Sequence, residues 1–138
     1  MYTINRGLKE WLLDVNDFTN FCNEHDYNNI KFYSQQDEDK YVLRYILKEY
    51  TPNGTFLEIG ACDGLLYTNT KMLEDFFGFR GILIEPQIHM YNELIKNRPK
   101  CKCYNYAISN TEEEYVSFSG MGPCGGVVQY LNKPQGES

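Results

Sequence analysis

The stretch Thr55–Thr70, TFLEIGACDGLLYTNT, decides how the rest of the chain is read. Thr55 to Ile59 is a short apolar run of strand type. Gly60 and Gly64 then bracket Asp63, and a threonine-rich segment opens a helix. A strand that runs through glycines into a helix is the entry of a βαβ unit. In an open parallel sheet, ligands sit beyond the carboxyl ends of the strands. Gly60 and Gly64 therefore stand where a ligand meets backbone, and glycine permits both that approach and a positive φ.

Downstream, the alternation of strand and helix continues. Residues Thr70 to Phe77 read as a helix with Leu73, Phe76 and Phe77 inward and Gly78 as its C-terminal stop. Gly81–Glu85 (GILIE) reads as a second strand, apolar on both faces as in a fully covered parallel sheet. His89 to Asn97 is a helix with Met90, Leu94 and Ile95 inward, ended at Pro99, and Cys101 to Ile108 is a third strand. This order makes the fold class α/β, the first half of a doubly wound parallel sheet.

Upstream, Leu8, Trp11, Leu12, Val15, Phe18 and Cys22 recur at helical spacing over residues 7 to 23, and 24 to 33 form a polar connection. Ser34-Gln35-Gln36-Asp37 fits a loose capping box before a second helix. Leu43, Ile46, Leu47 and Tyr50 make that helix's apolar stripe, and Pro52-Asn53-Gly54 stops it. Tyr115 to Ser119 and Val127 to Leu131 read as two short strands around the glycine-rich 120–126.

With 138 residues, 42% of them hydrophobic, the chain suits one domain with a real core. Its formal net charge of -6 and scattered cations exclude a basic nucleic-acid track. No segment approaches the ~18 apolar residues of a membrane span. Five cysteines, an odd number without an exporting leader at the start, imply reduced thiols and a cytoplasmic protein.

The acids carry the chemistry. Glu85 closes the second strand, 25 residues after Gly60, where a carboxylate accepts hydrogen bonds from both hydroxyls of a ribose. Lying at the strand's exit rather than in the core, it is a side chain whose removal should spare the strand. A dinucleotide fingerprint has G-x-G-x-x-G, whereas the spacing here is G-x-x-x-G, flanked by Glu58 and Asp63. Those acids repel a pyrophosphate and suit a ligand with an amino group and a sulfonium, S-adenosylmethionine. A nucleotide-dependent oxidoreductase is the weaker reading. Cys101-Lys102-Cys103 has no second ligand pair for zinc and reads as core packing. Cys62 lacks a visible base, and 120–126 is no phosphate loop, since no Gly-Lys-Ser/Thr follows.

From Ser34 to Ser109 the chain resembles the FkbM-type family of SAM-dependent methyltransferases. The matching pieces are Ser34-Gln35 with Glu38-Asp39, F-L-E-I-G-A-C-D-G at 56–64, T-N-T at 68–70, R-G-I-L-I-E-P at 80–86, N-R-P at 97–99 and N-Y-A-I-S at 105–109. The resemblance implies a Rossmann-like class I methyltransferase fold, apparently truncated. An N-terminal helical segment (1–33) would precede a partial SAM-binding domain (34–138) that ends in a short β extension. It implies O-methylation of a hydroxyl on a small molecule or sugar. By position, Glu58, Gly60 and Gly64 border the methionine part of the cofactor, with Asp63 nearby. Glu85 holds the ribose, and Tyr106 and Ala107 flank the adenine. Gln35, Asp39 and Asn69 line the donor or acceptor side, with a helix N-cap as the alternative for Asn69. The family continues into a fourth strand that carries acceptor contacts, and none is evident here, so no catalytic base is assigned. A SAM-binding but catalytically incomplete module, or half of a split enzyme, is the alternative. Without a fourth strand, Thr55–Ile59 presents an unpaired edge. The expectation is that the tail strands fold back over it, or that self-association or a partner chain covers it.

Overall fold

The computed structural model describes residues 13–47, 53–112, 114–120 and 125–127. Three strands, β1 (Thr55–Ile59), β2 (Arg80–Ile84) and β3 (Lys102–Tyr104), form one parallel sheet in the order β1-β2-β3. The crossovers carry helices: one over Lys71–Phe77 links β1 to β2, and one over Ile88–Asn97 links β2 to β3. Upstream stand two more helices, Val15–His25 and Glu38–Tyr41, the latter continuing as a π-helical turn over Val42–Ile46. In chain order the helices are α1 (Val15–His25), α2 (Glu38–Tyr41), α3 (Lys71–Phe77) and α4 (Ile88–Asn97).

The register puts Phe56 beside Gly81, and Glu58 beside Leu83 beside Cys103, so these residues share one face of the sheet. Both crossover helices pack on that face. Leu83 meets Leu94 of α4, with Tyr91, Cys101 and Cys103 against them. Phe56 joins that cluster and also a larger one, in which Met72, Leu73 and Phe77 of α3 pack with Phe18 and Cys22 of α1, Ile30 and Leu43. The stretch 13–33 thus shares a core with α3. Arg44 reinforces the packing of α1 by holding both carboxylate oxygens of Asp17, at 2.8 and 3.0 Å, a geometry only a guanidinium fork provides.

The opposite face is not covered by any helix among the described residues. Leu57 and Ile59 are 59% and 57% exposed, and Ile82 is exposed beside them. The expectation that β2 is apolar because both its faces are covered is therefore corrected. Its inward face is covered by α4, while Ile82 looks out on the uncovered side. No described residue of the tail pairs with β1. Among the described residues, β4 (Phe118–Ser119) pairs only with β5 (Gly126–Val127), antiparallel, as a separate two-stranded unit. Residues 128–131 of the expected second tail strand lie outside the described residues, as do the first six residues of the expected 7–23 helix and Tyr50.

Three inward assignments shift. Phe76 and Ile95 are 43% exposed, and Ile46 is exposed as well, while Met72 and Glu74 on α3 and Tyr91 on α4 take the inner positions. Reading helix faces from apolar residues alone passes over Glu74, a buried acid. Arg98, fully buried just past α4, pairs with it at 2.5 Å. The buried residues of α3 are Met72, Leu73, Glu74 and Phe77, which leaves Phe76 outside.

Candidate functional site

Beyond the carboxyl ends of the strands lies a cavity of about 360 Å³, within the range of small-molecule sites. Its walls come from the turn after β1 (Ile59, Gly60, Cys62), the exit of β2 (Glu85, Pro86, Gln87) and the segment after β3 (Tyr106, Ala107, Ile108). Gln35, Leu66 and Tyr67 close one side, and Phe118, Gly125 and Gly126 of the β4–β5 unit another.

The turn after β1 is wound tightly over β2. The N–H groups of Gly60 and Ala61 both donate to Ile84 O, at 2.8 and 3.1 Å. Gly60 has a φ of +77°, and an added Cβ would meet nothing within 4 Å, so its backbone faces open space. Cys62 and Tyr67, neither of them glycine, hold φ values of 50° and 56°. Left-handed backbone at two cavity-lining non-glycine residues is the kind of local strain that gathers at ligand sites.

Glu85 is 2% exposed, and its carboxylate ties two walls together. One oxygen accepts the Cys62 N–H at 2.9 Å and the other the Gln87 N–H at 2.8 Å. The strand-exit position is therefore a buried one, and the expectation that Glu85 lies outside the core is corrected. Each oxygen keeps a second lone pair, so the group can still accept from a ligand hydroxyl. Among the described residues that line the cavity it is the only ionisable carboxylate, and none of them is a lysine or arginine.

Of the ten residues singled out from the sequence, the cavity wall gathers Gln35, Gly60, Glu85, Tyr106 and Ala107. The other five stand behind it. Glu58 accepts from the Thr68 and Thr70 hydroxyls and from the Asn69 N–H, binding β1 to the approach of α3. Asp63 holds its own turn through the Leu65 and Leu66 N–H groups. Gly64 lies under α4, where an added Cβ would meet Arg98 Cγ at 2.6 Å and Leu94 Cδ1 at 2.7 Å; its role is close packing. Asn69 is not the N-cap of α3, a place Thr70 takes; its side chain accepts from the Ser34 hydroxyl at 2.6 Å. Asp39, fully buried, accepts from the Tyr33 and Ser34 N–H groups, while Ser34 Oγ accepts from the Asp39 N–H. That reciprocal pair replaces the expected box between Ser34 and Asp37.

Arg98 underlies the whole turn. Besides Glu74 it donates to Gly64 O at 3.2 Å and to the Thr68 and Thr70 hydroxyls at 3.3 and 3.1 Å. The two threonines relay its charge to Glu58. The motif N-R-P drew notice in the sequence without a role for its arginine, because nothing local says that a charge so placed is buried.

The surroundings of Cys62 disfavour its thiolate. Burial, followed by the carboxylates of Glu85, Asp63 and Glu58, pushes its thiol up to about 11, so the thiolate is scarce at neutral pH. Sequence reasoning also passed over Tyr67, Gln87 and Phe118. The one signal was the glycine-rich 120–126: an added Cβ on Gly125 would meet Phe118 Cε1 at 2.6 Å and Gln87 Nε2 at 3.0 Å. Among the described residues no group of three or more His, Cys, Asp or Glu side chains is placed to hold a metal ion, and no helix is long and apolar enough to cross a membrane.

A scan against protein-family models gives no match, and no curated protein matches the chain.

Proposed function

We propose that the chain is a Rossmann-like SAM-binding domain of the methyltransferase type, directed at a hydroxyl of a small molecule or sugar. The observation that carries the reading is the charge of the cavity wall, which among the described residues has one buried carboxylate, Glu85, and no lysine or arginine. A pyrophosphate is held by cations or by a helix N-terminus; the described wall supplies no cation, while the N-terminus of α4 adjoins it at Gln87. A nucleoside with ribose hydroxyls and a positive sulfonium suits it. In this reading the hydroxyls bond to Glu85, the adenine lies between Tyr106 with Ala107 and the ring of Phe118, and the methionine part follows the Gly60 backbone. Gln35 faces the same space from the other side. The resemblance over residues 34–109 agrees with this arrangement.

A second reading, binding without turnover, draws on a different observation. Transfer to a hydroxyl is helped by a base that takes its proton. Among the described residues lining the cavity there is no histidine or lysine, and Glu85 is engaged with two backbone N–H groups. Calorimetric titration of the purified chain with S-adenosylmethionine, S-adenosylhomocysteine and NAD tests the first reading. The adenosyl sulfur ligands should bind more tightly than NAD. A preference for NAD would overturn the proposal and favour a nucleotide-dependent oxidoreductase.

A further inference from the structure

We propose that Tyr67 and Gln35 form a second subsite of the cavity, which takes a saturated ring bearing hydroxyls, a pyranose or a cyclitol, stacked on the Tyr67 ring. Resting on the nucleoside reading above, this subsite is the acceptor side of the same cavity. Both residues line it, and a hydrogen bond of 2.6 Å from the Ser34 hydroxyl to Asn69 Oδ1 joins the two segments that carry them. The Asn69 N–H in turn donates to Glu58, so the joined segments belong to the β1 side of the sheet. Glu85 and Tyr106 follow β2 and β3, farther along the strand order, which leaves the β1 side to a second molecule. Tyr67 holds a φ of 56°, in the left-handed region that a bulky residue rarely enters. It is clamped there from both sides: the Leu66 N–H donates to Asp63 at 2.7 Å, and the Thr68 hydroxyl to Glu58 at 2.8 Å. The ring gains no partner in return. Tyr67 is 44% exposed, and among the described residues its side chain has no hydrogen bond or ring contact. Strain kept without a packing partner belongs to residues that wait for a ligand.

Gln35 shows the same pattern. The Ser34 N–H donates to Asp39 at 3.1 Å and the Gln36 N–H to Glu38 at 2.8 Å, so the backbone on either side of it is fixed. Its own amide has no hydrogen bond among the described residues. A free aromatic face and a free amide suit a saturated hydroxylated ring. Such a ring turns a face of C–H groups to the aromatic ring and its hydroxyls to the edge, where one amide both donates and accepts. Partial exposure favours this class over an aromatic acceptor. Hydroxyls that point out of the subsite stay in water, whereas a half-covered aromatic ring loses much of the burial that would hold it. Among the described lining residues no lysine or arginine stands ready for a phosphate or carboxylate, so the ring is uncharged.

The test uses the whole chain with saturating S-adenosylhomocysteine. Saturation-transfer NMR is read on the methyl pyranosides of glucose, galactose and mannose, on myo-inositol and on phenol. At least one hydroxylated ring should receive transfer, strongest at the C–H protons of one face, and the pyranosides against inositol distinguish a sugar from a cyclitol. Tyr67→Phe should keep the signal. Tyr67→Asn, which tolerates the left-handed backbone and lacks the ring, should reduce it about fivefold, the scale of one aromatic contact. The melting temperature of Tyr67→Asn should equal or exceed that of the wild type, and its affinity for S-adenosylhomocysteine should stay within about twofold. A fall in melting temperature would make Tyr67 a packing residue and overturn the proposal. Transfer to phenol alone overturns it in favour of an aromatic acceptor, and transfer to no probe, or transfer unchanged in Tyr67→Asn, overturns it outright. A wild type that does not bind S-adenosylhomocysteine takes down the nucleoside reading and this subsite together. One that binds it without contacting any hydroxylated ring takes down the subsite alone.

Discussion

Replacing Glu85 with alanine takes away the carboxylate that accepts from two backbone N–H groups closing the cavity, those of Cys62 at 2.9 Å and Gln87 at 2.8 Å. Leaving a buried donor without a partner costs about 1–3 kcal/mol, so two such donors put the loss of stability near 2–6 kcal/mol, the low end applying if cavity water reaches them. Glu85→Gln separates the contributions. Its carbonyl oxygen still accepts one N–H, while its amide nitrogen faces the other, so the loss should be about half, roughly 1–3 kcal/mol. Urea denaturation followed by circular dichroism checks the order: wild type most stable, Glu85→Gln intermediate, Glu85→Ala least, with the midpoint moving and the slope unchanged. Nucleoside affinity is then compared at a urea-free temperature where each variant is folded. Glu85→Gln should still lose about 1.5–3 kcal/mol of binding, the scale of hydrogen bonds to a charged group. Alanine and glutamine variants both within 0.5 kcal/mol of wild type in stability, a spread typical of surface positions, would refute the placement of this carboxylate.

Further expectations follow from the same geometry. Arg98→Met should cost about 3–5 kcal/mol because it strands the buried Glu74 carboxylate, whereas Arg98→Met with Glu74→Met should recover much of that loss; a double-mutant cycle by chemical denaturation measures it. Gly64→Ala should destabilise by about 2–4 kcal/mol through collision with Arg98 and Leu94 at a positive φ, while Gly60→Ala should cost only about 1–2 kcal/mol of backbone strain and act mainly on ligand affinity. Calorimetry and melting of the two variants would distinguish a packing glycine from a ligand-facing one. Burial raises the thiols of Cys62 and Cys101 from 9.0 to about 11, so the folded state keeps protons that the unfolded state has lost. Their contribution is therefore complete below pH 9 and falls as pH rises through about 11. Melting temperatures between pH 8 and 11 should show that decline, and Cys62→Ala should flatten it.

The sequence by itself determined the βαβαβ order, because β1, α3, β2 and α4 each carry a local signature. β1 and β2 are short, largely apolar runs, α3 meets a glycine stop at Gly78, and α4 is followed by a proline just after Arg98. It also marked Gly60, Glu85, Tyr106, Ala107 and Gln35, since residues at strand exits of one parallel sheet converge whatever the details of packing. Three things were decided only by tertiary structure. Whether an acid faces a ligand or a backbone depends on partners far away in the chain: Glu58 turned to Thr68, Asn69 and Thr70, and Asp63 to its own turn. The burial of Arg98 and Glu74 required α3 and α4 to meet on one face of the sheet, 24 residues apart in sequence. And an apolar strand reads the same whether one face or both are covered. Only the placement of both crossover helices on the Phe56–Leu83–Cys103 side left Leu57, Ile59 and Ile82 exposed to solvent.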